Sequence, residues 1–247
     1  MTHIVVMNCN TSESMTAEIG RYARTCARPG TVIDAWQPRW GPDSAEGYYD
    51  SFITAAAVLD RLHELPSSVD AVVMAGFGEH GREGARELLS IPVVDITEAA
   101  AQFAMLLAPH YGVVTTLGRA CAQIHDSLTT AGLMSRCAAI EAAELGVLDL
   151  ETDPEAAVDA MHSAGRRAID AGAEALVLGC AGMAGMSDRL SAKLGVPVVD
   201  GVAAAVSIAE SLVALSLTTS KIRTYAAPRP KRRSGWPIST ESVDADV

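Results

Sequence analysis

AEALVLGCAGMAGM, at residues 173–186, combines a short apolar run with a cysteine and a series of small residues. The run at 175–178 predicts a buried strand that ends at Gly179, and the small residues after Cys180 predict the start of a helix. Because the N-terminus of a helix carries unpaired N–H groups and a partial positive charge, we expect the pKa of this thiol to be lowered. The pattern is typical either of a reactive thiol at the end of a strand or of a small core residue.

The same pattern occurs earlier in the chain, so the sequence is an internal duplication. Two pairs of segments match, namely DAVVMAG (70–76) with EALVLGC (174–180), and SIPVVDITEAAA (90–101) with LGVPVVDGVAAAV (194–206). In this alignment Gly76 is the counterpart of Cys180. One half therefore carries a thiol where the other half carries no side chain, and any function assigned to the protein has to explain this asymmetry.

Strands alternate with helices through both halves. The predicted strands are residues 4–7, 31–36, 69–74 and 93–94 in the first half, and 111–115, 147–150, 175–178 and 196–199 in the second. This order predicts an α/β protein of two similar lobes, each with a roughly four-stranded parallel sheet flanked by helices. Because parallel sheets bind ligands at the carboxyl ends of their strands, we expect the active site in the cleft between the lobes.

The chain divides into two lobes and a tail in this interpretation. Residues 1–97 form the first lobe, and residues 98–202 form the second. A final helix predicted at 202–217 returns to the first lobe, which therefore also includes residues from about 203–222. Residues 223–247 are rich in proline, with mixed charge and few aliphatic side chains, which predicts a flexible C-terminal tail.

Composition and charge argue against several classes of protein. The formal net charge of -11 disfavours nucleic acid or an anionic membrane surface as a partner. The cysteines form no CxxC pair and the histidines show no ligand spacing, so we expect neither a disulfide framework nor a metal site. We find no signal-peptide pattern and no apolar run long enough to span a bilayer. We therefore expect a cytoplasmic protein that acts on a small molecule, and we also expect a homo-oligomer.

Four clusters of candidate site residues follow predicted strands. They are Asn8, Cys9, Asn10 and Thr11; Gly76, Phe77, Gly78, Glu79 and His80; Thr115 and Thr116; and Cys180, Ala181 and Gly182. Their amide, hydroxyl and backbone N–H groups suit a small carboxylate, imide or ureido group. Neither GxxxxGK[ST] nor GxGxxG occurs, which argues against a nucleotide site, and no GxSxG predicts a serine hydrolase.

Six motifs together resemble those of a known family. They are MNCNTSESMT (7–16), GFGEHG (76–81), GVVTTLGR (112–119), GVLDLE (146–151), LGCAGMAGM (178–186) and PVVDG (197–201). With them, the chain resembles the hydantoin and allantoin racemases of the aspartate/glutamate racemase superfamily, over its length to about residue 217. The resemblance implies cofactor-independent proton transfer at a carbon next to a carbonyl, by two cysteines on opposite faces of the substrate. Cys180 would be one of these thiols. The polar groups of the substrate would be held by Asn8, Asn10, Thr11, Thr115 and Thr116.

The chain departs from the family at the first-lobe cysteine. The family's other cysteine falls at position 76, where this chain has Gly76, and the segment that usually reads CFGDPG or similar is GFGEHG here. Cys9 replaces the proline of an Asn-Pro-Asn turn. A second acid or base would then have to come from another side chain, and the candidates are His80, Glu79 and Cys9.

Three functions stay open at this point. The first is a racemase of a small cyclic ureide or amino-acid derivative, with Cys180, His80 and Glu79 as the candidate catalytic residues. The second is a lyase such as an arylmalonate-type decarboxylase, which needs only one proton donor. The third is an inactive homologue that binds a ligand. We expect no cofactor for any of them.

Overall fold

The computed structural model describes residues 1–238, apart from the side chains of residues 151 and 154. The first half holds β1 (Thr2–Asn8), α1 (Glu13–Cys26), β2 (Thr31–Trp36), α2 (Tyr48–Leu62), β3 (Ala71–Ala75), α3 (Arg82–Leu88) and β4 (Val93–Asp95). The second half holds α4 (Ile96–Leu107), β5 (Tyr111–Thr115), α5 (Cys121–Thr130), β6 (Cys137–Ala142), α6 (Asp149–Thr152), α7 (Pro154–Asp170), β7 (Ala175–Leu178), α8 (Ser187–Leu194), β8 (Val198–Val199) and α9 (Gly201–Ala214). None of the helices within these described residues combines the length and the apolarity that a membrane crossing needs.

The strands form two parallel sheets of the same topology. Their orders are β2-β1-β3-β4 and β6-β5-β7-β8, so each chain half builds an equivalent sheet. The central strands are continuous apolar runs, because a parallel sheet covered by helices is buried on both faces. The α/β fold with two similar four-stranded lobes is therefore confirmed.

The duplicated PVVD segments start equivalent helices. Asp95 ends β4 and accepts a hydrogen bond from the backbone N–H of Thr97 at 2.9 Å, which caps α4. Asp200 does the same for α9, with the N–H of Val202 at 2.8 Å. A carboxylate at this position satisfies N–H groups that a helix leaves unpaired.

These two helices lie between the sheets. α4 packs against β7 and β8 of the second sheet, whereas α9 packs against β1, β3 and β4 of the first. Both helices present alanines, and a Cβ at Gly201 would lie only 3.1 Å from the Cβ of Ile96. The close packing of small residues places the two sheets around one continuous apolar core. The division of the chain into lobes at residues 97–98 and 202–203 remains a prediction.

The strand predicted at 147–150 is wrong. This segment begins the short helix α6, because the carboxylate of Asp149 accepts a hydrogen bond from the backbone N–H of Gly146 at 3.1 Å and closes a turn. Leu150 is buried in the helix rather than in a sheet. The missing strand is β6, an edge strand whose alanines and half-buried side chains carry little of the β-branched signal of a strand.

The helix predicted directly after Cys180 is also absent. Ala181–Met183 form a single 3₁₀ turn, and α8 begins only at Ser187. Gly185 interrupts the chain in between with a φ of 83°, and its N–H donates to Asp200 Oδ2 at 3.0 Å. The glycine that suggested an open helix start is therefore a turn residue.

The predicted tail is only partly described, because residues 239–247 lie outside the described residues. Its first residues contact the first lobe. Arg223–Tyr225 form a 3₁₀ turn, and the hydroxyl of Tyr225 donates to Glu83 Oε2 on α3 at 2.6 Å. The beginning of the tail is thus attached to the protein, in contrast to the prediction.

Candidate active site

A narrow cavity lies between the sheets, where the carboxyl ends of β1, β3, β5 and β7 meet. Its free volume is about 40 Å³, which is far too small for a macromolecular ligand. The structure brings most of the predicted site residues to its wall. They are Asn8, Cys9, Asn10, Gly76, Phe77, His80, Thr115, Thr116, Cys180, Ala181 and Gly182.

Cys180 lies at the end of β7 in an extended conformation and caps the 3₁₀ turn that follows. Its Sγ accepts a hydrogen bond from the backbone N–H of Gly182 at 3.3 Å. Gly179 brings the chain into place, since a Cβ there would lie 2.9 Å from Val113 Cγ1 on the neighbouring strand. The local backbone therefore holds the thiol against the cavity wall.

The lowered pKa expected for Cys180 is wrong. Burial raises its pKa to about 11, and the backbone hydrogen bonds from Gly182 and Met183 only partly oppose this effect. One 3₁₀ turn offers two N–H groups but not the aligned dipoles of a long helix. The thiol is consequently protonated at neutral pH and acts as an acid until it loses its proton.

Gly76 begins the loop after β3. In the duplicated sequence it is the counterpart of Cys180. A Cβ placed on it would lie 2.5 Å from His80 Cδ2, 2.7 Å from Cys9 Cβ and 3.0 Å from Cys9 Sγ. Distances below 3.0 Å between carbons are not tolerated without movement of one partner. The space that a side chain at position 76 would occupy is thus filled by Cys9 and His80.

Cys9 lies at the end of β1 and is partly exposed, because it lines the cavity. Burial, and after it the negative charge that Cys180 can carry, raises the pKa of its thiol to about 12. The two thiols are therefore coupled electrostatically. A charge on one of them disfavours a charge on the other.

His80 is buried beside Gly76, with 5% of its surface exposed. Its Nε2 lies 3.2 Å from the carbonyl oxygen of Phe77, so Nε2 is assigned as the donor and Nδ1 as the acceptor. Nδ1 is buried and has no hydrogen-bond partner. Burial lowers the pKa of His80 to about 4, and the imidazole is neutral at pH 7.

The two asparagines of the β1 loop form a hydrogen-bonded network. Asn8 donates to Asn10 Oδ1 and to Thr16 Oγ1, both at 2.9 Å. Asn10 Oδ1 also accepts from the backbone N–H of Ser12 at 3.0 Å. These bonds consume both N–H groups of Asn8 and leave its oxygen with one long contact, at 3.4 Å, from the N–H of Asn10. That oxygen retains capacity to accept from a ligand.

Thr115 and Thr116 are the second-lobe equivalents of this wall. Both are buried at the end of β5, and Thr115 Oγ1 donates to the carbonyl of Gly179 at 3.3 Å. Thr115 therefore fixes the strand end that carries Cys180. Thr116 supplies a hydroxyl to the cavity lining.

Three predicted site residues do not line the cavity. Glu79 faces Arg82, with Oε2 at 3.1 Å from its Nε, so its carboxylate belongs to an ion-pair cluster behind the loop. Thr11 donates from both its N–H and its hydroxyl to the carbonyl of Pro42. Gly78, with a φ of 117°, turns the loop, and its N–H cannot donate to a ligand because it already donates to Thr97 Oγ1 at 2.8 Å.

The cluster around Arg82 holds this loop. Arg82 is 1% exposed, and its guanidinium contacts Asp95 Oδ1 at 3.4 Å and Ser127 Oγ at 2.9 Å. Ser127 in turn donates to the carbonyl of Gly78 at 3.0 Å. A chain of contacts therefore connects α3 and α5 to the loop that carries Phe77 and His80.

Several lining residues were not predicted. They are Met15, Ala45, Ala75, Ala120, Gln123, Val147 and Gly179. Gln123 is buried on α5, and its amide donates to Ser51 Oγ at 2.6 Å and to the carbonyl of Glu79 at 3.2 Å. No motif marks a glutamine in the middle of a helix. The buried polar position within the apolar face of α5 is the only signal that could have indicated it.

Among the side chains that the structure describes, no group of three or more histidine, cysteine or acidic residues is arranged to bind a metal ion. The cavity instead presents two thiols, a neutral imidazole, amide groups and hydroxyls. Such groups can bind a small polar ring and can move a proton to or from it.

The chain is similar to proteins of known activity. The model of the family described as Asp/Glu/Hydantoin racemase matches residues 4–209. The crystal structure of an allantoin racemase from Pseudomonas fluorescens shares 52% identity over 95% of this chain and 100% of that chain, with a TM-score of 0.93. An allantoin racemase from Klebsiella pneumoniae shares 43% identity over 96% and 97% of the two chains, with a TM-score of 0.90. A hydantoin racemase from Pseudomonas sp. (strain NS671) is 41% identical over 94% of each chain.

Proposed function

The chain belongs to the Asp/Glu/Hydantoin racemase family, and we propose that it racemises a small cyclic ureide such as a 5-substituted hydantoin or allantoin. The observation that carries this proposal is the position of the Cys180 thiol. It lies at the end of a central strand, in a cavity between the lobes whose walls are buried amides and hydroxyls.

The chemistry needs a base beside an acidic carbon. In such a ring, the carbon to be inverted carries a hydrogen and lies next to a carbonyl. When the thiolate of Cys180 takes this proton, the C–H bond breaks, an S–H bond forms, and the electron pair spreads onto the carbonyl oxygen. Return of a proton to the opposite face of the planar carbon gives the other enantiomer.

The cavity wall suits the rest of the ring. A ureide offers N–H donors and C=O acceptors in one plane. Asn8 supplies an amide oxygen that retains acceptor capacity, and Thr116 supplies a hydroxyl from the opposite lobe. Hydrogen bonds from both lobes would hold the ring plane between the two strand ends, which is the orientation that proton transfer requires.

The lyase alternative depended on Gly76, which suggested a single thiol. Cys9 Sγ lies 3.0 Å from the position of a Cβ at residue 76, so the first lobe also brings a thiol to the cavity. A decarboxylase would have no use for the second thiol, whereas a racemase needs a group on each face. This observation supports the racemase.

The test is a racemisation assay with enantiopure 5-benzylhydantoin and allantoin, followed by circular dichroism against an enzyme-free blank. We expect wild-type protein to racemise at least one of them. Cys180→Ala should lower the rate about 10²–10⁴-fold, which is the usual contribution of an acid or base. Cys121→Ala is the matched control, since this cysteine lies on α5 outside the cavity lining, and it should leave the rate unchanged. Turnover that survives Cys180→Ala would refute the proposal.

We further propose that the protein works in the cytoplasm as a homo-oligomer. All five cysteines, which lie within the described residues, are free thiols, as expected of a reducing compartment. Tyr49 and Phe52 are strongly exposed on α2 and offer an apolar surface for a second copy. Light scattering coupled to size-exclusion chromatography tests the assembly. A monomer at micromolar concentration would contradict it.

A further inference from the structure

The two strand ends of each lobe are related by the duplication and by the sheet register. Asn8 pairs with Ala75 across β1 and β3, and Val114 pairs with Leu178 across β5 and β7. If each register is continued by one residue in the first lobe and by two in the second, it reaches residues that line the cavity. Cys9 therefore lies next to Gly76 in the first lobe, as Thr116 lies next to Cys180 in the second.

Each lobe consequently brings one thiol to the cavity, but from different strands. In the second lobe it follows β7, and the neighbouring strand end carries a hydroxyl. In the first lobe it follows β1, and the neighbouring strand end, after β3, carries Gly76. The steric contacts agree with this exchange of positions, in which the first-lobe thiol follows β1 instead of β3. A Cβ at Gly76 would lie 2.7 Å from Cys9 Cβ and 3.0 Å from Cys9 Sγ, so the Cys9 side chain occupies the space beside Gly76.

We propose that Cys9 is the second catalytic acid and base, and that it serves the face of the substrate opposite to Cys180. This inference rests on the proposed racemase function and adds the residue that the function lacks. Cys9 belongs to the first lobe and Cys180 to the second, so the two thiols enter the cavity from opposite sides. A flat ring held between the strand ends then presents one face to each of them.

The proton balance closes with these two residues. A thiolate at Cys180 takes the proton from one face, and the electron pair left on the carbon spreads onto the carbonyl. The S–H bond of Cys9 then breaks, its proton forms the new C–H bond on the other face, and the carbonyl is restored. Cys9 ends as the thiolate and Cys180 as the thiol, so the next turnover runs in the reverse direction.

The electrostatics of the cavity fit one thiolate at a time. Burial raises the pKa of Cys9, and the charge of Cys180 raises it further. Double ionisation is therefore disfavoured, so once one thiol has lost its proton the other keeps the proton that it has to donate. Both thiols are protonated at neutral pH, and the singly ionised pair that the two-residue mechanism requires becomes more populated as the pH rises.

His80 acts as a positioning residue in this arrangement. Its Cδ2 and the Cys9 Sγ lie 2.5 Å and 3.0 Å from the same point, the Cβ position of residue 76. The ring is anchored through Nε2 to the carbonyl of Phe77. The anchored imidazole and the Cys9 thiol thus border the same small space beside Gly76, and the imidazole supports the loop there.

Hydrogen exchange in deuterated water separates the two faces. Each enantiomer of the substrate is incubated with Cys9→Ala and with Cys180→Ala, and deuterium at the stereocentre is followed by NMR beside chiral chromatography. We expect each variant to lose inversion about 10²–10⁴-fold and to exchange only one enantiomer, with retention. The two variants should exchange opposite enantiomers. Inversion at the wild-type rate by Cys9→Ala, or exchange of the same enantiomer by both variants, would overturn the inference.

Two further variants protect this test against misfolding and against the alternative base. His80→Gln should keep inversion measurable, with a change in kcat rather than in the enantiomer exchanged. If His80→Gln abolishes inversion while Cys9→Ser retains it, His80 is the second base and the inference fails. The triple variant Cys9→Gly/Gly76→Cys/His80→Ala moves the thiol to the neighbouring strand end and removes both overlaps with a side chain at residue 76, so it should recover inversion relative to Cys9→Gly/His80→Ala. A triple variant no better than Cys9→Gly/His80→Ala counts against the exchange of positions.

The failure of the proposed function is distinguishable from the failure of this inference. A wild-type protein that neither racemises nor exchanges any ureide refutes the proposed function. Alkylation by iodoacetamide, mapped by mass spectrometry, then tests the thiol pair without a substrate. Because an ionised Cys180 raises the pKa of Cys9, Cys180→Ser should speed the alkylation of Cys9 at a pH near the pKa of Cys180, about 11, where the wild-type Cys180 is ionised. An unchanged rate at that pH would show that the two thiols do not face each other.

Discussion

Substitution of Gly76 by alanine tests the steric argument on which the assignment of Cys9 depends. The new Cβ would lie 2.5 Å from His80 Cδ2 and 2.7 Å from Cys9 Cβ, about 1 Å inside the normal carbon–carbon contact. The φ of Gly76 lies outside the left-handed region, so no backbone strain adds to this overlap. Overpacking of this kind costs about 1–3 kcal/mol, and we expect Gly76→Ala to lower the free energy of unfolding by that amount.

Urea unfolding followed by circular dichroism measures this loss, and double variants identify its origin. Gly76→Ala/Cys9→Gly and Gly76→Ala/His80→Ala each remove one of the two overlaps. Each should therefore be more stable than the sum of its single variants, by a coupling of about 0.5–3 kcal/mol. Gly76→Ala should also slow racemisation, because it displaces Cys9. A Gly76→Ala protein within about 0.5 kcal/mol of the wild type, with additive double variants, would refute the reasoning.

Three other predictions concern charge. Arg82→Ala should cost about 3–5 kcal/mol of unfolding free energy in urea, because it leaves the buried carboxylate of Asp95 without its partner. Burial raises the pKa of Asp95 to about 7, so the folded state binds this proton more tightly than the unfolded chain. Its contribution to stability is therefore present at low pH and lost as the pH rises through about 7, and Asp95→Asn should flatten the stability profile measured between pH 4 and 7. The raised pKa values of Cys180 and Cys9 predict that kcat/KM for racemisation increases about tenfold per pH unit between pH 7 and 9.

Each of these predictions has an outcome that contradicts it. An Arg82→Ala protein as stable as the wild type would mean that water enters the cluster and solvates Asp95. We predict that Asp95 makes the wild type less stable as the pH rises from 4 to 7. A wild type whose free energy of unfolding increases over this range, while that of Asp95→Asn does not, would contradict this prediction. A pH-independent kcat/KM would show that a thiolate already exists at neutral pH. Lys193→Ala is a suitable control for the stability series, because its ion pair with Asp159 is exposed and should contribute little.

Two neighbouring residues in the sequence can have side chains on opposite sides of a loop, as Glu79 and His80 do. Glu79 and His80 are neighbours and were equal candidates, but the carboxylate pairs with Arg82 behind the loop while the imidazole lines the cavity. Gly78 and Gly81, with φ angles of 117° and 96°, turn the loop between and around them. The direction of each side chain in such a turn depends on backbone angles that no local pattern in the sequence predicts.

The strand β6 illustrates a second limit. Its alanines carry little strand propensity, and it forms an edge strand only because β5 offers an unpaired side. The apolar segment at 147–150 looked more like a strand but is drawn into a helical turn by Asp149. In both places tertiary context outweighs local preference.

The sequence by itself determined the duplicated α/β fold, the family and the thiol at Cys180. Apolar runs, the repeated PVVD segments and the LGCAGM motif are local patterns, and local patterns survive without knowledge of the partners that they pack against. Only the tertiary structure decided that Cys9 fills the place left open at Gly76. Residues 9 and 76 are far apart in the chain, and the pairing of β1 with β3 brings them into contact. Strand order is a property of the folded sheet, because it is set by which surfaces bury each other best.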